Sequence, residues 1–384
     1  MNTQTNPQHI AIAGAGLLGR LLAWRLRLLG HEITLFEAGK LQPDSSAARA
    51  AAFTAAGMIA PLSEAVVSDA NVYRMGQFAL QRWPEWLKDL PPIDLAPTDL
   101  PPTNLAKNAP ELFFAKGSLL VAHPQDESEL QQFESELNFV VPECRNYQRL
   151  SSRDIQDLEP DLSPQFMRGL LLQEEGHLHN REFLQQLGDE LIHLNVTIRE
   201  NTPVEIGPQV IHTNAGVEKF DVVIDCRGLG AKTQLKKLRG VRGETLHVET
   251  SEIHLHRPVR LMHPRYQLYV VPKPNNRFII GATQIESEDR SPVTLQSSLE
   301  LGSALYTLSP AFAEARIIEM DTNLRPAFMD NLPKVFCQPG LIVANGLFRH
   351  GYLLAPAVVE QVLAQVAQHP TILFPDLLQT SVSG

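Results

Sequence analysis

The sequence predicts an α/β fold in which a parallel-sheet unit is assembled from separated stretches of chain, with an antiparallel-sheet domain inserted between them. Three observations carry that prediction. Residues 10–13 are a short apolar run that ends in glycines and passes into a helical pattern and a second apolar run. Much later, 222–225 and 341–344 are again short apolar runs leading towards glycine, as buried parallel strands do. Between them, 244–280 alternates apolar and polar residues with the period of a half-buried antiparallel sheet.

After the first strand at 10–13, Leu18, Leu21, Leu22, Leu26 and Leu29 form one stripe of a helix over 17–29, which Gly30 closes. Residues 33–36 are the next strand, ending at Glu37. Strand, helix and strand together have the ~30-residue size of one βαβ unit. The alanine-rich stretch 45–60 breaks at Pro61; its small side chains suit either a tightly packed helix or backbone lying against a flat ligand. Pro91, Pro92, Pro97, Pro101, Pro102 and Pro110 exclude continuous helix or central strand, so 91–110 reads as a long loop leaving the first unit. Beyond it, 113–121 reads as strand, 127–137 and 183–194 as helices, and 196–199, 204–206 and 222–225 as strands. In the alternating region, 272–276 reads as a hairpin turn. Residues 295–308 and 310–318 read as helical, 341–344 as the last strand and 355–367 as the last helix. This assigns 8–90, 151–235 and 321–384 to a discontinuous first domain, and 91–150 and 236–320 to the second.

Composition excludes several function classes. A net charge of -10 leaves no electrostatic footprint for nucleic acid or an anionic membrane. The basic residues Lys232, Lys236, Lys237, Arg239 and Arg242 read as a solvated face. Cys144, Cys226 and Cys337 are far apart, which argues against disulfides, a zinc site or a dithiol centre and for a reducing compartment. The first apolar run is broken by glycines and carries Arg20, Arg25 and Arg27, so it is neither a signal peptide nor a membrane span. The expected location is the cytoplasm.

Gly14-Ala15-Gly16-Leu17-Leu18-Gly19 is a GxGxxG turn between strand and helix. Its first glycine permits the tight turn, the second lets backbone approach a pyrophosphate, and the third allows close helix–sheet packing. Glu37 follows eighteen residues past Gly19 at a strand end, where a carboxylate holds ribose hydroxyls; the alternative is a surface acid at a strand end. These features make the first domain Rossmann-like and dinucleotide-binding without choosing between FAD and NAD.

Six further blocks, FTAAGMIAPLSEA (53–65), LRGVRGE (238–244), LYVVPK (268–273), IIGATQIES (279–287), LRPAFMDNLP (324–333) and NGLFRHGYLLAP (345–356), are similar to the D-amino-acid oxidase superfamily of flavoproteins. Within it the chain most resembles the glycine oxidases of thiamine biosynthesis, and with the N-terminal turn the blocks span nearly the whole chain in the family's order. The resemblance implies non-covalent FAD and an inserted substrate domain. It implies that Gly14, Ala15, Gly16 and Gly19 cradle the pyrophosphate, and that Glu37 and Ala38 bind the adenosine ribose. Ala56, Gly57 and Met58 would line the flavin edge, Val204 would meet adenine, and Arg349, His350, Gly351, Tyr352 and Leu353 would wrap the flavin pyrimidine. Arg325 stands where the family pairs an arginine with the substrate carboxylate, with Arg349 assisting and Tyr269 lining the pocket. The implied reaction is oxidative deamination of glycine or another small amino acid, by hydride transfer from Cα to flavin N5, with O₂ returning H₂O₂ and the imine feeding thiazole synthesis. The alternatives are a D-amino-acid or sarcosine dehydrogenase passing electrons to a quinone or carrier, and a non-catalytic flavin-binding accessory protein. A homo-oligomer is compatible with either. Where relatives carry hydroxyls before AAGM, this chain has Ala51 and Ala52; Met329-Asp330-Asn331 replaces a PDG-type turn, and His350 replaces an asparagine.

Physical chemistry suits these roles. A carboxylate is well held by the two parallel donors of a guanidinium. Arg325 and Arg349 lie on apolar, glycine-rich ground, where a guanidinium needs an anion: either a ligand or an internal carboxylate. An amine that binds deprotonated needs no side-chain base, so no residue is assigned as catalytic. No metal site is expected: His254 and His256, with His247 and His263 nearby, lack further ligands, and His177 and His179 read as solvated loop residues. Cys337 reads as a buried structural thiol rather than a point of flavin attachment.

Overall fold

The computed structural model describes residues 6–43, 49–91, 111–143, 146–264, 268–368 and 373–379. Most of the proline-rich loop, Ser45 and Cys144 lie outside them. A seven-stranded sheet runs in the order Leu378–Gln379, Lys334–Gln338, Leu341–Asn345, Val222–Asp225, His9–Ala13, Glu32–Phe36, Thr197–Arg199. All neighbours are parallel except Lys334–Gln338 and Leu341–Asn345. Central strands buried on both faces explain the unbroken apolar runs: Ile10, Ile12, Leu35 and Ile224 share one core with Leu21, Leu22 and Trp24 of the helix Leu17–Leu28. That helix ends with Arg25 and Arg27 in its last turn, favourable against its dipole, and Gly30 follows at φ +92°. The helices Asn180–His193 and Gly351–Val366 pack beside it.

The GxGxxG turn is tight because glycine makes it so. Gly14 has φ +95°, and a Cβ there would lie 2.7 Å from the Cys226 carbonyl oxygen. A Cβ on Gly19 would overlap the Gly14 carbonyl oxygen, so the helix rests directly on the turn. Gly19→Ala is therefore expected to cost roughly 1–3 kcal/mol of stability through overpacking, read as a lower midpoint in urea denaturation; an unchanged midpoint would disprove the contact.

The second sheet has eight strands in the order Arg316–Ala327, Arg239–Glu249, Arg277–Gly281, Leu268–Lys273, Val259–Met262, Ser118–Ala122, Arg168–Leu172, Tyr147–Ser151. It is antiparallel apart from the pairing of Val259–Met262 with Ser118–Ala122. Its alternation separates two faces. Leu246, Val248, Val270, Phe278 and Ile280 meet Leu301, Ala304, Leu305 and Leu308 of the helix Leu295–Leu308. Val271 and Ile279, of opposite parity, pack with Ala56 and Tyr269 instead. Asn275 and Asn276 take φ of +61° and +56° and turn the hairpin between Lys273 and Arg277.

Several local readings change. Residues 310–318 are not one helix: a short helical turn, Pro310–Glu314, capped by the Ser309 hydroxyl, gives way to the strand Arg316–Ala327, where Ile317 and Ile318 favour extension. Residues 113–121 divide into Phe113–Phe114 and Ser118–Ala122 around Gly117 at φ +78°. The helix Ala70–Lys88, capped by Asp69 accepting from the Asn71 and Val72 amides, was not read from the sequence; Gly76 and Pro84 interrupt its pattern. The strands Arg168–Leu172 and Arg316–Ala327 belong to the eight-stranded sheet, so parts of 151–235 and 321–384 assigned to the first domain pair with the second. Among the described residues no helix is long and apolar enough to cross a membrane.

Candidate active site

A cavity of about 1350 Å³ extends from the Gly14 turn to Tyr269 and Arg325. Small-molecule pockets usually measure ~300–1,000 Å³, so this one has room for a dinucleotide and a second small ligand. Of the residues singled out in the sequence, Gly14, Gly16, Glu37, Ala38, Ala56, Gly57, Met58, Val204, Tyr269, Arg325 and the run from Arg349 to Leu353 all line it. Ala15 and Gly19 do not. The Ala15 amide donates to Glu37 Oε2 at 2.6 Å, and Gly19 serves the helix–turn contact.

At the first end, Gly16 has, among the described residues, only the Ala50 methyl near it, 3.4 Å from a would-be Cβ. Neither Leu17–Leu28 nor Gly351–Val366 has a side-chain cap or an acid in its first turn. Their orphan N–H groups and positive dipole ends are left for an anion or for carbonyl acceptors. Glu37 is fixed from both sides, since its other oxygen accepts the Gly39 amide at 3.1 Å. Sequence reading missed Arg227. It pairs with Asp225 through two contacts of 2.9 Å and donates to the Val204 carbonyl at 2.9 Å, tying the strand end to the Val204 loop. Its only signal was an Asp and an Arg two residues apart ahead of Gly228.

In the middle, Met58–Ile59 pairs with Gly176–Leu178, which in turn pairs with Phe113–Phe114. Lys273 reaches in from the larger sheet and donates to the carbonyls of Ala56 (2.8 Å) and Leu178 (2.6 Å), and burial brings its pKa down to about 7. His177 and His179 were expected in solvent; both are buried, with the His177 ring stacked on Phe114 at 5.1 Å. The reason is the short strand Gly176–Leu178, which holds His177 at its centre and is followed directly by His179, and which has no signature in the sequence. Burial lowers both imidazoles, His179 to about 3, so they stay neutral.

At the far end, Arg325 donates to the carbonyls of Arg242 (3.1 Å) and Thr283 (3.0 Å), and among the described residues no carboxylate pairs with it. Burial pulls its pKa to about 10, still a cation at neutral pH. Two glycines make room: a Cβ on Gly243 would overlap the Arg325 guanidinium, and one on Gly281 would lie 2.8 Å from the Tyr269 hydroxyl. Arg349 is in a different situation. Its Nε lies 2.9 Å from Glu64 Oε2 and its Nη2 3.0 Å from Oε1, the internal ion pair left open by the sequence. The same carboxylate meets His350 Nε2 at 2.8 Å and Arg260 Nη2 at 2.7 Å. Burial alone would raise Glu64, but Arg349, His350 and Arg260 hold it well below the usual carboxylate range. Glu64 and Arg260 were not read from the sequence, although an acid at the end of an alanine-rich apolar stretch, three residues past Pro61, was a usable hint.

Among the described residues one group, His247, Glu319 and Asp321, has metal-ligand proximity. Its carboxylates are already taken: Arg49 pairs with both, at 2.6 Å to Asp321, and Arg181 Nη1 meets Glu319 at 2.7 Å. His256 faces Glu159 at 3.1 Å, and the His254 and His256 side chains are largely exposed. Cys337 sits on Lys334–Gln338 outside the cavity lining, half-buried, whereas Cys226 is buried and lines it. Burial would raise Glu319, but Arg181 and Arg49 outweigh it and lower it to about 2. The depressed value means stability gained above the ordinary carboxyl pKa, ~4.5, and lost as pH falls towards 2; the gain is on the order of 3 kcal/mol at most. Glu319→Gln should thus be less stable at pH 7, with the gap to wild type closing between pH 4.5 and 2 in urea titrations. A gap independent of pH would contradict the pairing.

The sequence profile of the FAD-dependent oxidoreductase family, DAO, matches residues 9–365. The chain belongs to this family. A Rhizobium etli protein named as thiamine biosynthesis oxidoreductase ThiO is 36% identical over 358 residues, 92% of this chain and 95% of its own length. A glycine oxidase of Bacillus licheniformis is 23% identical over 94% of this chain and 93% of its own. The crystal structure of glycine oxidase from Geobacillus kaustophilus superposes with a TM-score of 0.77 at 23% identity, covering 96% of both chains. This DAO-family chain is accordingly an FAD-dependent oxidoreductase with the mixed parallel and antiparallel fold of that structure. Uncapped helix ends, the open face of Gly16 and the size of the cavity fit the dinucleotide.

Proposed function

We propose that the protein oxidises glycine or a similarly small amino acid at its C–N bond, using non-covalently held FAD and delivering the electrons to O₂ as H₂O₂. The observation that carries this reading is Arg325: an enclosed guanidinium that, among the described residues, has carbonyl partners only, beside Tyr269, in the same cavity as the dinucleotide cradle. Gly14, Gly16 and the first turn of Leu17–Leu28 would hold the pyrophosphate, with Glu37 at the ribose. Ala56 to Met58 would meet the flavin edge, and the N-terminus of Gly351–Val366 its pyrimidine. Bound flavin supplies the hydride acceptor.

The chain's own part is binding and exclusion. Arg325 takes the carboxylate, which fixes Cα relative to the cradle. Tyr269 stays protonated, because burial raises its pKa against the lowering by Arg325 and Arg349, so its hydroxyl remains a donor. Glu64, the acid nearest Arg349, is committed to three cationic or donor partners and is not free to take a proton. The amine must therefore lose its proton to solvent before oxidation. The ThiO and glycine oxidase names of relatives support glycine as substrate and its imine as a precursor for a thiazole ring. Anaerobic bleaching of the holoenzyme by glycine, sarcosine and small D-amino acids tests the substrate. Oxygen uptake with and without an artificial acceptor separates oxidase from dehydrogenase, and failure of every amine to bleach the flavin would overturn the proposal.

A further inference from the structure

We infer that Glu64 sets the carboxylate count of the substrate: by holding Arg349 in an internal pair, it leaves Arg325 as the enclosed guanidinium that, among the described residues, has no carboxylate partner, and so selects monocarboxylates over dicarboxylates. The inference rests on the reading of Arg325 as the carboxylate site. Arg260, Arg325 and Arg349 line this end of the cavity from its interior, and Arg290 lines it from an exposed position. Among the described residues Glu64 is the acid of the lining that pairs with Arg260 and Arg349. Glu300 also lines the cavity and is in ion-pair contact with none of the three interior arginines, and Glu175, which accepts from the Ser63 amide at 2.7 Å, lies behind the wall. Glu64 engages Arg349 through both of its oxygens, at 2.9 and 3.0 Å, the two-point geometry a ligand carboxylate would otherwise use. Arg260 is closed off, with its side chain 4% exposed, while the Arg349 side chain keeps 26% of its surface open. Of the two arginines that Glu64 pairs, Arg349 is thus the one that could add a second anion site if Glu64 were neutral. With Glu64 charged, a second carboxylate on the ligand would have to displace it from Arg349, setting two anions side by side and leaving the buried Glu64 with Arg260 and His350 alone, which is unfavourable.

The test uses holoenzyme and follows the visible flavin absorbance while acetate or malonate is titrated in. Wild type is expected to bind acetate at least ~10-fold more tightly than malonate, and Glu64→Gln to shift that ratio at least ~10-fold towards malonate. Glu64→Asp, which restores the charge, should return the ratio towards wild type. A merely structural role would lower flavin content or both affinities together without moving the ratio, and an unchanged ratio in Glu64→Gln overturns the inference. Should Glu64→Gln fail to fold, Arg349→Met and Arg325→Met decide it. Arg325→Met should weaken acetate more than ~30-fold and Arg349→Met by less than ~3-fold, since the second side chain does not reach the ligand. Equal losses in the two variants would make Arg349 a direct ligand and overturn the inference. Normal acetate binding by Arg325→Met would instead defeat the underlying carboxylate assignment.

Discussion

Arg325→Met is expected to give a folded, yellow protein whose KM for its amino acid is raised roughly 30- to 1,000-fold. The range corresponds to about 2–4 kcal/mol for loss of a charge-assisted, two-point contact with a carboxylate. The effect should fall on KM and on kcat/KM together, because the guanidinium is bound to the same group before and during the reaction. Folding should survive: among the described residues Arg325 contributes only two bonds, to the neutral carbonyls of Arg242 and Thr283, and methionine fills much of its volume. Steady-state kinetics with flavin content measured in parallel checks this. Wild-type KM would remove Arg325 from the site, and loss of flavin would show that its role is structural.

The second large effect is expected at Gly16. The Cβ of a leucine there meets no backbone of the described residues, the nearest of whose atoms is the Ala50 methyl at 3.4 Å. Its side chain would instead occupy the space beside the helix N-terminus that a pyrophosphate needs. Gly16→Leu should be purified colourless, with a stability near that of wild-type apoprotein, and should not recover the flavin spectrum on reconstitution. The contrast with Gly19→Ala is diagnostic, since that variant strains the fold and leaves the cradle open. A yellow Gly16→Leu protein would show that the dinucleotide does not pass over this turn.

How much of this was legible in the sequence depends on the range of the interactions. The first βαβ unit was readable because its signals are local: a strand buried on both faces, a leucine stripe and glycines whose spacing has one backbone solution. Arg325 and Tyr269 were found through family resemblance, and the structure places both on the cavity wall. What the sequence did not reveal was which arginine has an internal partner. Glu64 and Arg349 are 285 positions apart, and no periodicity or spacing links them. Lys273 escaped notice for a similar reason, since its acceptors are the backbone carbonyls of Ala56 and Leu178 and so carry no side-chain signature. His177 and His179 were misjudged as solvated because a three-residue strand, Gly176–Leu178, is too short to show an alternating pattern. The path of one long strand was hidden for the opposite reason. The strand Arg316–Ala327 begins at the edge of the eight-stranded sheet and ends at the cavity, so no turn or shift in composition marks its passage from one to the other.

The hairpin of Leu268–Lys273 and Arg277–Gly281 turns one face towards the helix Leu295–Leu308 and the other towards Ala56. Ligand wall and hydrophobic interior are thus written into the same few residues, in alternate letters. Change in this pocket has to proceed by substitution, or by insertions and deletions that come in twos. A single added residue would turn Tyr269 and Lys273 inward and push leucine and valine out to meet the substrate.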